Sequence, residues 1–393
     1  MENSLKNVAA TENNANWKNI IKREKELYSR NNDIRSEFER DYTRIIHSTG
    51  FRRMKHKTQV FFSPTNDHIC TRIEHVIHVE SISYTIAEFL GLNTQLTKAI
   101  AIAHDIGHSP FGHKGEKVLS KILERDVGET FWHEKNGLDM VDKIELLEDP
   151  CGNKQNMNLT YGVRDGIISH CGEIDENNLK PRTEFIDLSK YDKPNKFAPY
   201  TWEGCVVKIA DKISYLGRDI ADAITLGIMN DKLDDLYKIL DYKSDSIINN
   251  TVIINDFIYD LCKNSNIENG LCFSDEILDK INKLKKFNYE KIYYSKKVQI
   301  SSDYFCLILT TIYDLLKETF YNKIEIQKDF PQLYEDFENW FRNFWTFERI
   351  STNQNDVIFD PSNLKDYCKA VIYYISGMTD NYAINIYNKI IGF

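Results

Sequence analysis

A chain of 393 residues with 42% hydrophobic residues can bury one large core or two ordinary ones, and its low counts of glycine (17) and proline (8) favour helices over a turn-rich β fold. A net charge of −9 argues against a dedicated nucleic-acid binder, so an anionic ligand has to be met by local charge. Eight cysteines without a CxxC pair argue against a zinc ribbon or a disulfide frame, and no apolar run reaches the roughly 20 residues of a membrane span, so the expectation is a soluble, cytoplasmic protein with reduced thiols and no membrane partner.

In chain order, residues 1–16 are polar and Asn-rich, lack the apolar core of a signal peptide, and are expected to fray. Residues 33–47 put Phe38, Tyr42, Ile45 and Ile46 on one helical face. A long helix is predicted over 72–91, with Gly91 suited to a left-handed stop. The next helix, 93–107, is capped by Asn93 or Thr94 and ends at Gly107. Residues 149–160 and 172–200 read as loops. Another long helix covers 201–228, and further helical spacing occurs at about 231–248, 251–264, 274–286, 303–323 and 331–348. No fixed-period repeat and no clean linker interrupt this pattern, which predicts an all-α protein.

All ten histidines lie between residues 47 and 170, which places the chemistry in the first half of the chain. The apolar run Ala99–Ala103 leads straight into His104-Asp105. Neighbouring residues on a helix point about 100° apart, so both can reach a metal lying between them near a helix end. Two ligands leave a cation under-coordinated. His75 on the preceding helix and Asp211, flanked by Ile209, Ala210 and Ile213, are candidates to complete the set, because a carboxylate in an apolar setting needs a metal or a base. Imidazole and carboxylate without thiolate suit Mn²⁺, Mg²⁺, Fe²⁺, Co²⁺ or Ni²⁺ with open positions for water. His78 reads as a helix-face residue, and His68 and His170 as packing or solvent histidines. Asp211, Tyr215 and Asp219 recur at four-residue spacing and line one helix face. His113 and Glu116 are three apart, close enough for the carboxylate to orient the imidazole. Arg35, Arg40, Arg44, Arg52, Arg53, Lys55, Lys57 and Arg72 make a basic stretch that could offset the acidic balance at an anionic ligand, although Arg40 and Arg44 read better as solvated ion pairs with Glu37, Glu39 and Asp41.

Five separate stretches, RSEFERDYTRIIHSTGFRRMKHKTQVF (35–61), TRIEHVIHV (71–79), AHDIGHSPFGHKGE (103–116), FWHEKNG (131–137) and ADKISYLGRD (210–219), resemble the HD-domain deoxynucleoside triphosphate triphosphohydrolases, the dGTPase family. The resemblance implies an HD-domain helical fold with additional C-terminal helices. It divides the chain into an N-terminal extension (1–32), an HD phosphohydrolase core (33–228) and a C-terminal helical region packed on that core (229–393). It assigns His75, His104, Asp105 and Asp211 as metal ligands and His113 and Glu116 as the acid–base pair. Arg72 would hold the α-phosphate, with His108, His133 and Lys212 near the phosphates, while Gln59, Tyr215 and Asp219 would read the sugar. Tyr42, Gly50 and Met54 depart from the family pattern at positions outside this chemistry. The implied reaction is hydrolysis of a dNTP substrate to deoxynucleoside and tripolyphosphate with a divalent metal ion. A dNTP effector and a homo-oligomer are the further partners implied. The alternatives are an HD nucleotidase or phosphodiesterase acting on another nucleotide, and a nucleotide sensor without turnover.

Overall fold

The computed structural model describes residues 5–26, 33–62, 66–171, 177–229, 233–241, 250–344 and 354–392. Among these residues are sixteen α-helices and one small sheet, so the all-α reading holds. The sheet pairs Leu146–Glu148 with Lys154–Asn156 in antiparallel register, its second strand inside the segment 149–160 read as a loop. Strands of three residues are too short to show alternation, and only Gly152, at φ 83°, marks the turn between them.

The helices that carry the site start and stop as local rules require. Arg72–Leu90 opens with a capping box in which the Thr71 N–H donates to Glu74 Oε2 at 2.8 Å, and it ends at Gly91 with φ 77°. Thr94–Ala103 is capped by Asn93, whose side chain accepts from the Gln95 and Leu96 amides. Every residue from Ala99 to Ala103 is buried, so the last turn of this helix is enclosed on all sides. It packs against Glu37–His47, Arg72–Leu90 and the long helix Trp202–Thr225. Burying Leu96, Ile100 and Ile102 contributes roughly 1.5–3 kcal/mol each.

Three expectations need correction. The regular helix ends at Ala103 and not at Gly107. Beyond it the chain tightens, with the Ile106 N–H donating to Ala103 O and the His108 N–H to Asp105 O. Gly107 serves close packing: a Cβ there would lie 2.1 Å from Gly137 N and 2.2 Å from His133 O. The left-handed backbone comes later, at Phe111 (φ 62°) and Gly112 (φ 57°). Second, residues 5–16 do not fray. Leu5, Ala9 and Ala10 are buried, and the buried Glu203 carboxylate accepts from both the Ala10 and Asn93 amides at 2.9 Å. That carboxylate sits in the first turn of Trp202–Thr225, so it secures the N-terminal segment against the core. Third, the helix expected over 303–323 runs over Lys296–Asp329, with Asn322 (φ −122°, ψ 46°) interrupting it near the end.

The remaining expected helices occur at Leu233–Leu240, Asn250–Asn264, Asp275–Asn288 and Pro331–Phe341; residues 231–232, 242–248 and 345–348 of the expected spans lie outside the described residues. Helices also form at Gly112–Asp126, His133–Asp139, Tyr161–Ser169, Leu364–Ser376 and Asp380–Ile391. The apolar residues gather in two clusters. One runs from Leu5 to Val298 in the sequence, and the other joins Phe111 and the helix Gly112–Asp126 to residues between Phe305 and Tyr387. The HD turn and the start of Gly112–Asp126 therefore lie where the two clusters meet. No described helix is long and apolar enough to cross a membrane.

Candidate metal centre

Four side chains from three segments converge. Helix Arg72–Leu90 contributes His75, the turn after Ala103 contributes His104 and Asp105, and Trp202–Thr225 contributes Asp211. His75 Nε2 lies 2.9 Å from Asp211 Oδ1 and 3.7 Å from Asp105 Oδ2. His104 Nε2 lies 3.5 Å from Asp105 Oδ1 and 3.8 Å from Asp211 Oδ1. His104 Nδ1 donates to Ala101 O at 2.6 Å, which leaves a bare lone pair on the fully buried Nε2, and no protein group meets it. An orphaned imidazole nitrogen facing two carboxylates suits a divalent cation held by nitrogen and oxygen donors. Both carboxylates stay ionised. Burial alone would raise Asp105, but the His108 N–H and the Arg72 guanidinium, both directed at it, hold it well below the usual carboxylate range. Burial likewise opposes ionisation of Asp211, and the hydrogen bond from His75 brings it down to about 2.

The other expected site residues surround this cluster unequally. Arg72 donates to Asp105 Oδ2 at 2.6 Å and to the carbonyls of Thr58 and Gln59 at 3.2 Å, while its buried Nε has no partner. His108 Nε2 is 3.0 Å from Asp105 Oδ1, and its buried Nδ1 is unpartnered. Burial and the Arg72 charge push the His108 imidazole well below its ordinary value, so it is neutral. His113 Nδ1 meets Glu116 Oε2 at 3.1 Å, with the His113 side chain 61% exposed. Glu116 also meets His133 Nδ1 at 3.1 Å, and the His133 ring stacks on His108 at 3.9 Å between centroids. Burial disfavours charge on His133, yet Glu134 and Glu116 raise it well above the ordinary imidazole value. Gln59 Oε1 is buried without a partner. Tyr215 and Asp219 follow Asp211 on the same helix, and burial pushes Asp219 up to about 7 although Tyr293 Oη donates to it. Lys212 lines a separate narrow cavity with Lys208, Ile209, Leu271 and Ile281.

Two neighbours of the site were not anticipated, and one expectation reverses. His170, read as a packing or solvent residue, sits with Nε2 3.9 Å from Asp105 Oδ1 and its ring 4.9 Å from His104. Tyr293 reaches Asp219 from the C-terminal half, which holds no histidine and no recognisable metal motif. The basic stretch is largely engaged internally. Arg35 pairs with Asp33, and Arg53 with Glu145. The Arg44 guanidinium donates to the Met157 and Asn156 carbonyls and anchors the hairpin. Arg40 does pair with Glu37 and Asp33. Of the stretch, Arg72 is the residue that lies in the imidazole–carboxylate cluster.

The turn bearing His108 is held from the C-terminal helices. Lys57 Nζ donates to the carbonyls of His108 (2.5 Å) and Ser376 (2.9 Å), and Asn136 Nδ2 to Gly107 O at 2.6 Å. The buried Asp380 carboxylate accepts from the amides of Phe111 and Thr58, both at 2.8 Å. Phe111 is the strained left-handed residue, so this carboxylate stabilises the backbone at the point where it turns into the His113 helix. Asp380→Ala should cost roughly 1–3 kcal/mol for each amide it orphans and should lower kcat through displacement of His113. Thermal unfolding and steady-state kinetics on the variant check both; an unchanged Tm would remove the role.

The HD domain family model matches residues 72–216, which contain His75, His104, Asp105 and Asp211. A deoxyguanosinetriphosphate triphosphohydrolase-like protein of Caldanaerobacter subterraneus subsp. tengcongensis is 35% identical over 91% of this chain and 86% of its own length. Proteins of the same name are 32% identical in Desulfatibacillum aliphaticivorans (91% of this chain, 88% of that one) and 34% identical in Clostridium perfringens strain 13 (91% and 87%). A hypothetical protein from Aquifex aeolicus of known structure aligns over 78% of this chain and 73% of its own, at 18% identity and a TM-score of 0.37, too distant to carry an argument. With its imidazole–carboxylate centre inside the matched segment and relatives aligned along nine-tenths of its length, the chain belongs to the deoxyguanosinetriphosphate triphosphohydrolase-like family of metal-dependent HD phosphohydrolases.

Proposed function

We propose that the protein hydrolyses deoxynucleoside triphosphates at the α-phosphate, releasing deoxynucleoside and tripolyphosphate. The observation that carries this reading is the row Asp211, Tyr215, Asp219 on one helix face, leading from the imidazole–carboxylate cluster to the Asp219–Tyr293 pair. A phosphate end and a sugar end would thereby lie along one rigid element.

His75, His104, Asp105 and Asp211 would hold a divalent cation (Mn²⁺, Mg²⁺, Fe²⁺, Co²⁺ or Ni²⁺), which supplies Lewis-acid polarisation of a phosphoryl oxygen and acidifies water. Arg72 would neutralise charge developing at the α-phosphate through its unpartnered Nε. His113 is exposed enough to meet the substrate and would manage the proton on the leaving 5′-oxygen. Burial would raise Glu116, but His133 and His113 keep it well below the usual range, so it stays ionised and orients the His113 ring. His133 and His108 would face the remaining phosphates, and Lys212 would join them by turning out of the cavity it lines. Gln59, Tyr215 and Asp219 would bind the sugar. Homo-oligomer formation and response to a second dNTP belong to the same proposal.

Incubation with each dNTP and NTP plus Mn²⁺ or Mg²⁺, followed by chromatography, tests it. Tripolyphosphate from dNTPs is the expected product. Inorganic phosphate from monophosphates would mark a general HD nucleotidase, and binding without turnover a sensor. A second expectation concerns the sugar. An aromatic wall at Tyr215 would exclude a 2′-OH, and a 3′-deoxy analogue would leave the buried Gln59 Oε1 without its partner. The 3′-deoxy form should lose roughly 10–100-fold in kcat/KM. Tyr215→Ala should narrow the gap between dNTP and NTP while total activity falls. Equal use of ribo and deoxy substrates by the native protein would overturn the deoxynucleotide assignment.

A further inference from the structure

A cavity of about 350 Å³ opens between the C-terminal helices Pro331–Phe341, Leu364–Ser376 and Asp380–Ile391 and the segment Met140–Ile144. None of the residues assigned above to metal or substrate lines it. Small-molecule sites run from roughly 300 to 1,000 Å³ and are apolar, with a few placed polar groups. Here Trp340, Tyr374, Tyr382 and Met378 supply apolar surface, and Arg53 and Asp336 supply the charges. The Trp340 and Tyr374 ring centroids are 5.4 Å apart. Tyr374 Oη lies 3.1 Å from Tyr382 Oη, which donates to Asp336 Oδ2 at 2.8 Å. The other partner of Asp336 is the neutral Gln332 amide. Arg53 makes a long hydrogen bond, 3.4 Å to Glu145 Oε1. Gly377 also lines the cavity, and a Cβ there would lie 3.1 Å from Arg53 Nη1, so the glycine gives the guanidinium room against this wall.

The geometry points to this cavity as a binding site for an uncharged heteroaromatic ligand, the base of a free nucleoside, separate from the site assigned to the triphosphate. Trp340 and Tyr374 offer ring faces on which any base can stack. Arg53 supplies N–H donors for the acceptors on the base edge, and Asp336 accepts from its amino group, the pairings by which these side chain types read bases. Charge excludes a nucleotide. The one guanidinium in the lining already faces Glu145, and Asp336 adds a second carboxylate, so a polyphosphate would meet net negative charge. The wall Gly377–Thr379 also ties the cavity to the HD turn. Ser376, just before it, accepts from Lys57, which holds the His108 carbonyl; Asp380, just after it, accepts from the Phe111 and Thr58 amides. A ligand that shifts this wall therefore acts on the turn that leads into His113. The link to turnover rests on the functional reading above, in which the reaction releases a deoxynucleoside: the ligand is then the product, and the cavity a site of product feedback.

The four deoxynucleosides and the four dNTPs are titrated one by one into the purified protein by calorimetry, so that binding is read without turnover. The expected result is a deoxynucleoside site whose affinity falls about tenfold or more in Asp336→Asn, which keeps the side chain's size, and in Trp340→Leu, and is unchanged in Tyr215→Ala. In kinetics, the same deoxynucleoside should lower kcat of the native protein and leave that of Asp336→Asn unaffected. Absence of deoxynucleoside binding overturns the proposal. So does binding that is lost in Tyr215→Ala and kept in Asp336→Asn, which would put the nucleoside in the substrate site, and so does a dNTP whose affinity depends on Asp336. If no deoxynucleoside binds while dNTPs are cleaved to tripolyphosphate, this site falls and the functional reading stands. If deoxynucleosides bind through Asp336 and Trp340 while dNTPs are not cleaved, the site stands and the functional reading falls.

Discussion

Asp211→Ala and His104→Ala should lose bound metal and hydrolysis together. Each removes one of four proposed ligands from a buried cluster in which His75 Nε2 faces Asp211 Oδ1 at 2.9 Å and His104 Nε2 has no protein partner. Even an outer-sphere partner of a metal ligand is worth about 10–100-fold in affinity, so loss of a direct ligand should exceed that. The two variants should differ in stability. His104→Ala removes an imbedded ring and leaves a cavity costing several kcal/mol, about 2–5 on the scale of large-to-small core changes. Asp211→Ala instead leaves Asp105 as the remaining carboxylate beside His75 and His104, at an edge of the cluster where the Asp211 side chain is 20% exposed. Metal analysis alongside activity separates the ligand role from misfolding. Full occupancy in both folded variants would sink the assignment.

His113→Ala is expected to lower kcat by about 10²–10⁴-fold, the range for removing a positioned proton-transfer group, with metal content and KM close to native. The expectation rests on exposure: a side chain 61% accessible, contacting Glu116, makes little contribution to packing. Glu116→Gln should behave differently. Glu116 contacts both His113 and His133, so its replacement disturbs the acid–base group and the imidazole stacked on His108 at once. A rise in KM should therefore accompany its loss of kcat. Near-native turnover in His113→Ala would show that another group moves the proton.

Much of this molecule could be read along the chain. Many of the helices followed from apolar spacing, and the caps at Asn93 and Gly91 from the two or three residues around them. Asp211, Tyr215 and Asp219 share a face because four residues make about one helical turn. These features depend on neighbours in sequence, so the sequence by itself determined them. The grouping of His75, His104, Asp105 and Asp211 was legible for a related reason: each residue type is costly to bury alone, which marks it for a partner.

What the sequence left open depends on groups far apart in the chain. His170 carries no local mark to separate it from a packing histidine; its bare Nε2 exists because Ile167 O takes the Nδ1 proton and the fold brings Asp105 alongside. Tyr293 meets Asp219, and Asp380 meets Phe111 and Thr58, only after the C-terminal helices have packed. The polar N-terminal segment docks because the buried Glu203 carboxylate accepts from the Ala10 amide as well as from Asn93, a requirement visible from neither partner alone. The basic stretch shows the same limit in reverse: its charges looked available for an anion, but tertiary contacts pair Arg53 with Glu145, anchor Arg44 on the hairpin and leave Arg72 in the cluster. Local periodicity and capping set the helices, whereas desolvation, which drives most buried polar groups to find a partner, decided which distant residues complete the site.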